Sequence, residues 1–148
     1  MTEPVRLYDK FGGDRAIYDK VVKIFYDEVF KDPWIGQFFE GHDQEHLEKQ
    51  QADFMIQSMG GPRAYSGKFP KPAHQHMLIS DELFEYRHEM LDRALKESGA
   101  SDDFRIEWMR LDSAFKKAIV KTSHSECEKR YNSDTILDFP NPGVKKAA

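Results

Sequence analysis

The chain predicts an all-α fold, and three observations carry that expectation. Apolar residues recur at helical spacing along four stretches, each stretch opens on a capping residue, and no segment alternates apolar and polar residues as a strand would. Leu7 to Phe11 reads as a short opening helix stopped by Gly12-Gly13. Asp14 then caps a helix whose Ile17, Val21, Ile24, Phe25 and Val29 share a face, and Asp32-Pro33 ends it. Trp34 to Phe39 forms a short helical turn. After a break at Gly41 to Asp43, Asp43 caps a helix carrying Leu47, Gln51, Phe54, Met55 and Ser58 inward, terminated by Gly60-Gly61-Pro62.

From Gly60 to Pro72 nothing is periodic, and Pro62, Gly67, Pro70 and Pro72 forbid a continuous helix. A loop this long in a compact domain is commonly functional, and here it ends in Ala73-His74. Ser80 caps a helix with Phe84, Leu91, Ala94 and Leu95 inward, closed by Gly99. Ser101 caps the last, with Trp108, Leu111, Phe115, Ala118, Ile119 and Thr122 along its inner face.

A length of 148 residues suits one domain, expected over 1–130, with 131–148 a loosely held C-terminal tail because terminal segments order poorly unless tied down. The formal charge of -4 gives no general attraction for nucleic acid or anionic membrane. No apolar run is long enough for a membrane span, and the start MTEPVRLYDKFGG lacks the pattern of a signal peptide. The expected location is therefore cytoplasmic. The lone Cys127 has no partner for a disulfide or a thiolate cluster and reads as a bystander.

Two side chains pose a chemical question. Gln51 lies among the apolar Leu47, Phe54 and Met55, where an unpartnered amide costs about 1–3 kcal/mol. A backbone carbonyl, a trapped water or a ligand each satisfies it. Tyr26, on the preceding helix beside Val22, Val29 and Phe30, leaves a hydroxyl to satisfy in the same way. Facing one space, the two would stabilise a small ligand that carries negative charge.

Six histidines are available as metal ligands: His42, His46, His74, His76, His88 and His124. His74 stands out because it ends the long loop, where an unpaired backbone carbonyl can accept from Nδ1–H and leave Nε2 for a metal. A rival reading is a non-haem metal centre built from His42, His46, His74 and His76 with Asp43 and Glu45; the spacing permits zinc or iron without demanding either. A third is a metal-free helical interaction module with Tyr26 and Gln51 satisfied internally.

The ordered set YDKFGG (Tyr8 to Gly13), IFYDEVFKDP, Phe38-Phe39 before Gly41, KQQADF, MGGPRAYSG and AHQHML resembles the truncated haemoglobins, most of all their group I, from Leu7 to about Val120. The resemblance implies a two-on-two helical sandwich around a noncovalent haem b that binds dioxygen reversibly, along with NO, CO or other small ligands. It assigns Tyr26 and Gln51 to the ligand-facing positions, Phe39 to haem packing, Leu47 to the gate of the distal pocket and His74 to the iron. Gln50 takes the place where some relatives put a second iron ligand. Phe54, Met55, Tyr65, His76, Met77 and Phe84 are expected around the haem, and Lys49, Arg63, Tyr65 and His76 near its propionates.

Lys116 falls near a position where some relatives carry a histidine bound covalently to haem, and its presence implies that the haem here is unattached. His46, one residue before Leu47, is an alternative distal ligand should the helix shift. Conversion of NO to nitrate fits the polar pair but needs an external reductase. A monomer is expected. Arg87-His88-Glu89 departs from the family pattern and receives no role.

Overall fold

A single turn, α1 (Leu7–Lys10), precedes the first long helix, α2 (Arg15–Val29), and the Asp14 carboxylate accepts from Ala16 N–H at 2.9 Å to start it. The structure, a computed structural model, describes residues 6–67, 73–129 and 135–143. Asp32 then accepts from the N–H groups of Trp34 and Ile35, folding Ile35–Phe39 into a 3-10 turn. Helix α3 (Gln44–Ser58) starts on Asp43, α4 (Asp81–Glu97) on Ser80 and α5 (Asp102–Ala114) on Ser101. Each of these caps bonds the first helical turn with its side-chain oxygen, as its residue type predicts.

Helix α2 packs on both α3 and α4, and α4 packs on α5. Two helix pairs therefore face one another. The stripe Tyr18, Val21, Val22, Phe25, Tyr26 and Val29 is buried because it recurs every three or four residues. At one end of the core Tyr18 meets Phe104 at 5.1 Å and Trp108 at 5.8 Å between ring centroids. The buried Asp53 carboxylate on α3 receives Arg15 from the first turn of α2 at 2.6 Å and Lys49 at 2.8 Å, so its charge is compensated.

The double glycine after α3 has two separate reasons. Gly60 adopts φ +87°, a conformation that residues with a Cβ rarely take. At Gly61 an added Cβ would lie 2.7 Å from both Tyr8 Cγ and Ile56 Cγ2, so α1 sits against this turn only because the side chain is missing.

Two expectations are corrected. The last helix does not continue to Thr122: it stops at Ala114, resumes briefly as α6 (Lys116–Ile119), and turns extended at Val120. There Val120 pairs with Ile79, and Lys121 N–H donates to Ile79 O at 2.8 Å, bonds that a continuing helix would forgo. Nor is the tail loosely held over residues 135–143. Leu78 N–H donates to Leu137 O at 2.7 Å, Leu137 N–H to His76 O at 2.9 Å, and Trp34 Nε1 to Phe139 O at 2.6 Å. The apolar Leu137 and Phe139 tie the segment down by packing against the core. The stretches 131–134 and 144–148 lie outside the described residues, as do positions 68–72 of the long loop.

Candidate functional site

The two helix pairs and the His74 segment enclose a cavity of about 280 Å³. Helix α3 supplies Leu47, Gln50, Gln51 and Phe54 to its wall, which are turned the same way by their spacing of three and four residues. Tyr26 and Phe25 enter from α2, and Phe38 and Phe39 from the 3-10 turn. His74, His76 and Met77 come from the end of the loop, Tyr65 from its start, and Phe84 from α4.

Met55 does not join them. It lies roughly 80° around α3 from the centre of that wall, on the side of Ala52, Ile56 and Met59, and is packed in the core. Ser58, also read as inward, is absent from the cavity lining and donates back to Phe54 O at 2.8 Å.

The walls are largely aromatic. Tyr26 meets Phe25 at 5.1 Å and Phe39 at 5.9 Å, both nearly perpendicular, while Phe54 meets Tyr65 at 5.1 Å and Phe115 at 5.3 Å. Beside Gln50 and Tyr65, the lining carries the polar tips of Tyr26 and Gln51, and no hydrogen bond joins the Tyr26 hydroxyl or the Gln51 amide to another described residue. Burial pushes the Tyr26 phenol up to about 12, so it remains an O–H donor.

The segment holding His74 is fixed from three directions. Lys121 Nζ donates to His74 O at 2.9 Å, to Met77 O at 3.0 Å and to Ile119 O at 3.2 Å. Leu137 borders the segment through its backbone pairing, and Glu128 N–H donates to Gln75 O at 2.7 Å. Backbone that the long loop leaves unpaired is thereby satisfied.

The rival metal centre does not assemble. His42 and His46 are exposed, with His42 at the cavity's edge against Phe39, and among the described residues no three His, Cys, Asp or Glu side chains cluster as a metal site. Of the propionate candidates, Tyr65 and His76 line the cavity, Arg63 is exposed, and Lys49 is engaged by Asp53. Lys116 is held by Asp81 at 2.5 Å and Glu85 at 2.9 Å. Of His124 only the backbone turn is described.

Sequence reading missed Arg87 and Asp112, both on the cavity wall. Arg87 Nη1 donates to both Asp112 oxygens at 2.9 Å, and His88 Nδ1 lies 2.6 Å from Asp112 Oδ2. Burial pushes the Asp112 carboxyl up, but Arg87 and His88 outweigh it and hold the group below the ordinary carboxylate range. A signal was present: Arg87 is three residues after Phe84 and four before Leu91, and Asp112 is four after Trp108 and three before Phe115. Both occupy inward stripes.

A largely apolar cavity that combines imidazoles with neutral donors such as Tyr26 and Gln51 fits a haem: aromatic walls for the macrocycle, a nitrogen ligand for iron, donors for a bound gas. Such a cavity between two helix pairs is the arrangement expected of a globin of the two-on-two kind. The chain matches the bacterial-like globin family over residues 6–121 and belongs to it, in the truncated, two-on-two form.

Among its relatives is the group 1 truncated haemoglobin of Tetrahymena pyriformis, 37% identical over 102 residues, which cover 69% of this chain and 84% of that protein. That of Synechocystis is 32% identical over 105 residues, covering 68% and 84%. The Fe(III) crystal structure of the Tetrahymena pyriformis protein superposes with a TM-score of 0.69 at 32% identity, covering 80% of this chain and all of that one. Haemoglobin from Chloroflexus aurantiacus gives 0.70 at 27% identity. Family membership makes this a gas-binding haem protein of the globin type, and no described helix is long and apolar enough to cross a membrane.

Proposed function

We propose that the chain reversibly binds dioxygen on a noncovalently held haem b, with His74 as the iron's protein ligand and Tyr26 and Gln51 as donors to the bound gas. The observation that carries this reading is the shared cavity. It unites the only two neutral polar tips singled out by the sequence with the anchored segment bearing His74. Haem supplies an iron position at which diatomic gases, O2, NO and CO among them, bind reversibly.

The chain's own residues do the rest. Phe39, Leu47, Phe54, Met77 and Phe84 exclude water and offer apolar faces, and Lys121 keeps the His74 backbone in place. Tyr26, a phenol well past neutral pH, and the Gln51 amide donate where negative charge gathers on a bound gas. His76 borders the same cavity and is assigned to the haem edge, with Tyr65. Gln50 cannot serve as a second iron ligand in the manner of an imidazole, which leaves the gas position open. A monomer in the cytoplasm completes the reading, and the net charge of -4 gives the chain no general attraction for anionic membranes.

Oxidation of NO to nitrate is a second use of the same pocket, supported by the polar pair and requiring an external reductase. The visible spectrum of the purified protein tests the core reading. A haem band retained in His76→Ala and lost or strongly altered in His74→Ala is expected; a colourless protein that also fails to take up hemin overturns it. For the second use, repeated nitrate formation from NO in the presence of a cellular reductase is expected, and a single turnover argues against it.

A further inference from the structure

The cavity wall carries a full positive charge that a neutral diatomic gas does not require. Arg87 projects from the inward stripe of α4, and its guanidinium carbon lies 5.4 Å from the Phe25 ring centroid and 5.9 Å from that of Phe84. Those two rings limit where the side chain can go. Only Nη1 reaches Asp112, bonding both carboxylate oxygens. No hydrogen bond joins Nε or Nη2 to another described residue.

Asp112 is itself shared. His88 Nδ1 sits 2.6 Å from Oδ2, and the same imidazole stacks on Phe84 at 5.8 Å between centroids. The carboxylate thus answers two nitrogen donors, and the side of the guanidinium away from it keeps unspent donors. The other nearby charges are taken: Lys116, 5.8 Å over Phe84, is held by Asp81 and Glu85. Among the described residues of the lining, Arg87 is the permanent cation, Asp112 its counter-ion, and Tyr26, whose ring is 5.1 Å from that of Phe25, a neighbouring neutral donor.

We infer that Arg87, steadied by Asp112, and the Tyr26 phenol form a subsite inside the gas cavity for a small monoanion of a few atoms, of the nitrite or halide class. A guanidinium with N–H groups not bonded to the described chain, set in a largely apolar lining, binds an anion more strongly than it would in bulk water, and a phenol adds a second donor. Phe25 and Phe84 keep the site narrow. The inference rests on the haem reading, because the haem band is the signal that reports the anion.

The test titrates the ferric holoprotein with fluoride and with nitrite, and with imidazole as a neutral ligand, following the visible spectrum. Removing Arg87 alone would strand the Asp112 charge, so the informative pair is Asp112→Asn and the double variant Arg87→Met/Asp112→Asn. Asp112→Asn is expected to tighten fluoride and nitrite by freeing the cation. The double variant is expected to weaken both by about ten-fold or more, the range for a charge-assisted hydrogen bond, with imidazole binding unchanged. Equal anion affinities in the wild type and the double variant overturn the proposal, as does a loss shared equally by imidazole. Faster haem loss with anion affinity untouched assigns Arg87 to the haem itself and also overturns it. A protein that takes up no haem at all fails the gas-binding reading instead, and 19F line broadening of fluoride by the colourless protein then tests the subsite directly: broadening abolished in the double variant supports it, and none in the wild type overturns it.

Discussion

The ammonium of Lys121 sits 2.9 Å from the carbonyl oxygen of His74, and the same nitrogen reaches Met77 O and Ile119 O. One side chain beyond the last long helix thus fixes the backbone on both sides of the histidine segment. Lys121→Met keeps most of the aliphatic stem and removes the three donors. Destabilisation of about 1–3 kcal/mol is expected, with a several-fold faster loss of haem to an excess of a haem scavenger. Unchanged haem retention would mean that the segment holds its shape without this lysine.

Deletion from residue 130 onward removes the backbone pairing of Leu137 with His76 and Leu78, the Trp34 Nε1 bond to Phe139 O, and the edge-to-face contact of Phe139 with Phe38 at 4.9 Å. Several apolar contacts and three hydrogen bonds go together. We expect a fall of about 2–5 kcal/mol in stability by denaturant titration, accompanied by a changed haem spectrum. A truncated protein as stable as the full chain would make residues 135–143 dispensable.

Tyr26→Phe should separate ligand binding from folding. The hydroxyl has no partner among the described residues, so its removal leaves the haem-free protein as stable or slightly more so. Dioxygen dissociation from the haem-loaded variant should accelerate by roughly ten-fold, and Gln51→Leu should act in the same direction. Stopped-flow displacement of dioxygen by carbon monoxide measures both. Rates matching the wild type would place the two donors away from the gas.

The Asp112 carboxyl gives a pH dependence of defined sign. Arg87 and His88 hold its folded value below the ordinary carboxylate range, so the unfolded chain binds the proton more readily. The stability it contributes is fully present above about pH 4 and is lost as pH falls through the folded value. Acid titration of unfolding should therefore steepen below about pH 4 in the wild type, and the Arg87→Met/Asp112→Asn variant should lack that component. Identical acid profiles would show that the pair contributes nothing to the pH response.

Helix by helix, the caps were legible because Asp14, Asp43, Ser80 and Ser101 act within a few residues of themselves. The cavity's apolar wall followed from the periodicity of Leu47, Gln51 and Phe54. The charged pair was overlooked although Arg87 and Asp112 stand on inward stripes, because residue type argued for solvent and neither stripe by itself shows the other. A carboxylate 25 residues away in sequence makes that arginine tolerable inside.

What the chain's order of residues determined alone is local: where helices begin and end, which faces are apolar, and which donors need an answer. Tertiary structure decided that Lys121 and Leu137 grip the histidine segment, that the last helix breaks at Phe115, and that Arg87 meets Asp112. The physical reason is range. Capping and periodicity are settled by neighbours along the backbone, whereas backbone carbonyls and buried charges can be satisfied by groups from anywhere, and only the packed chain selects which.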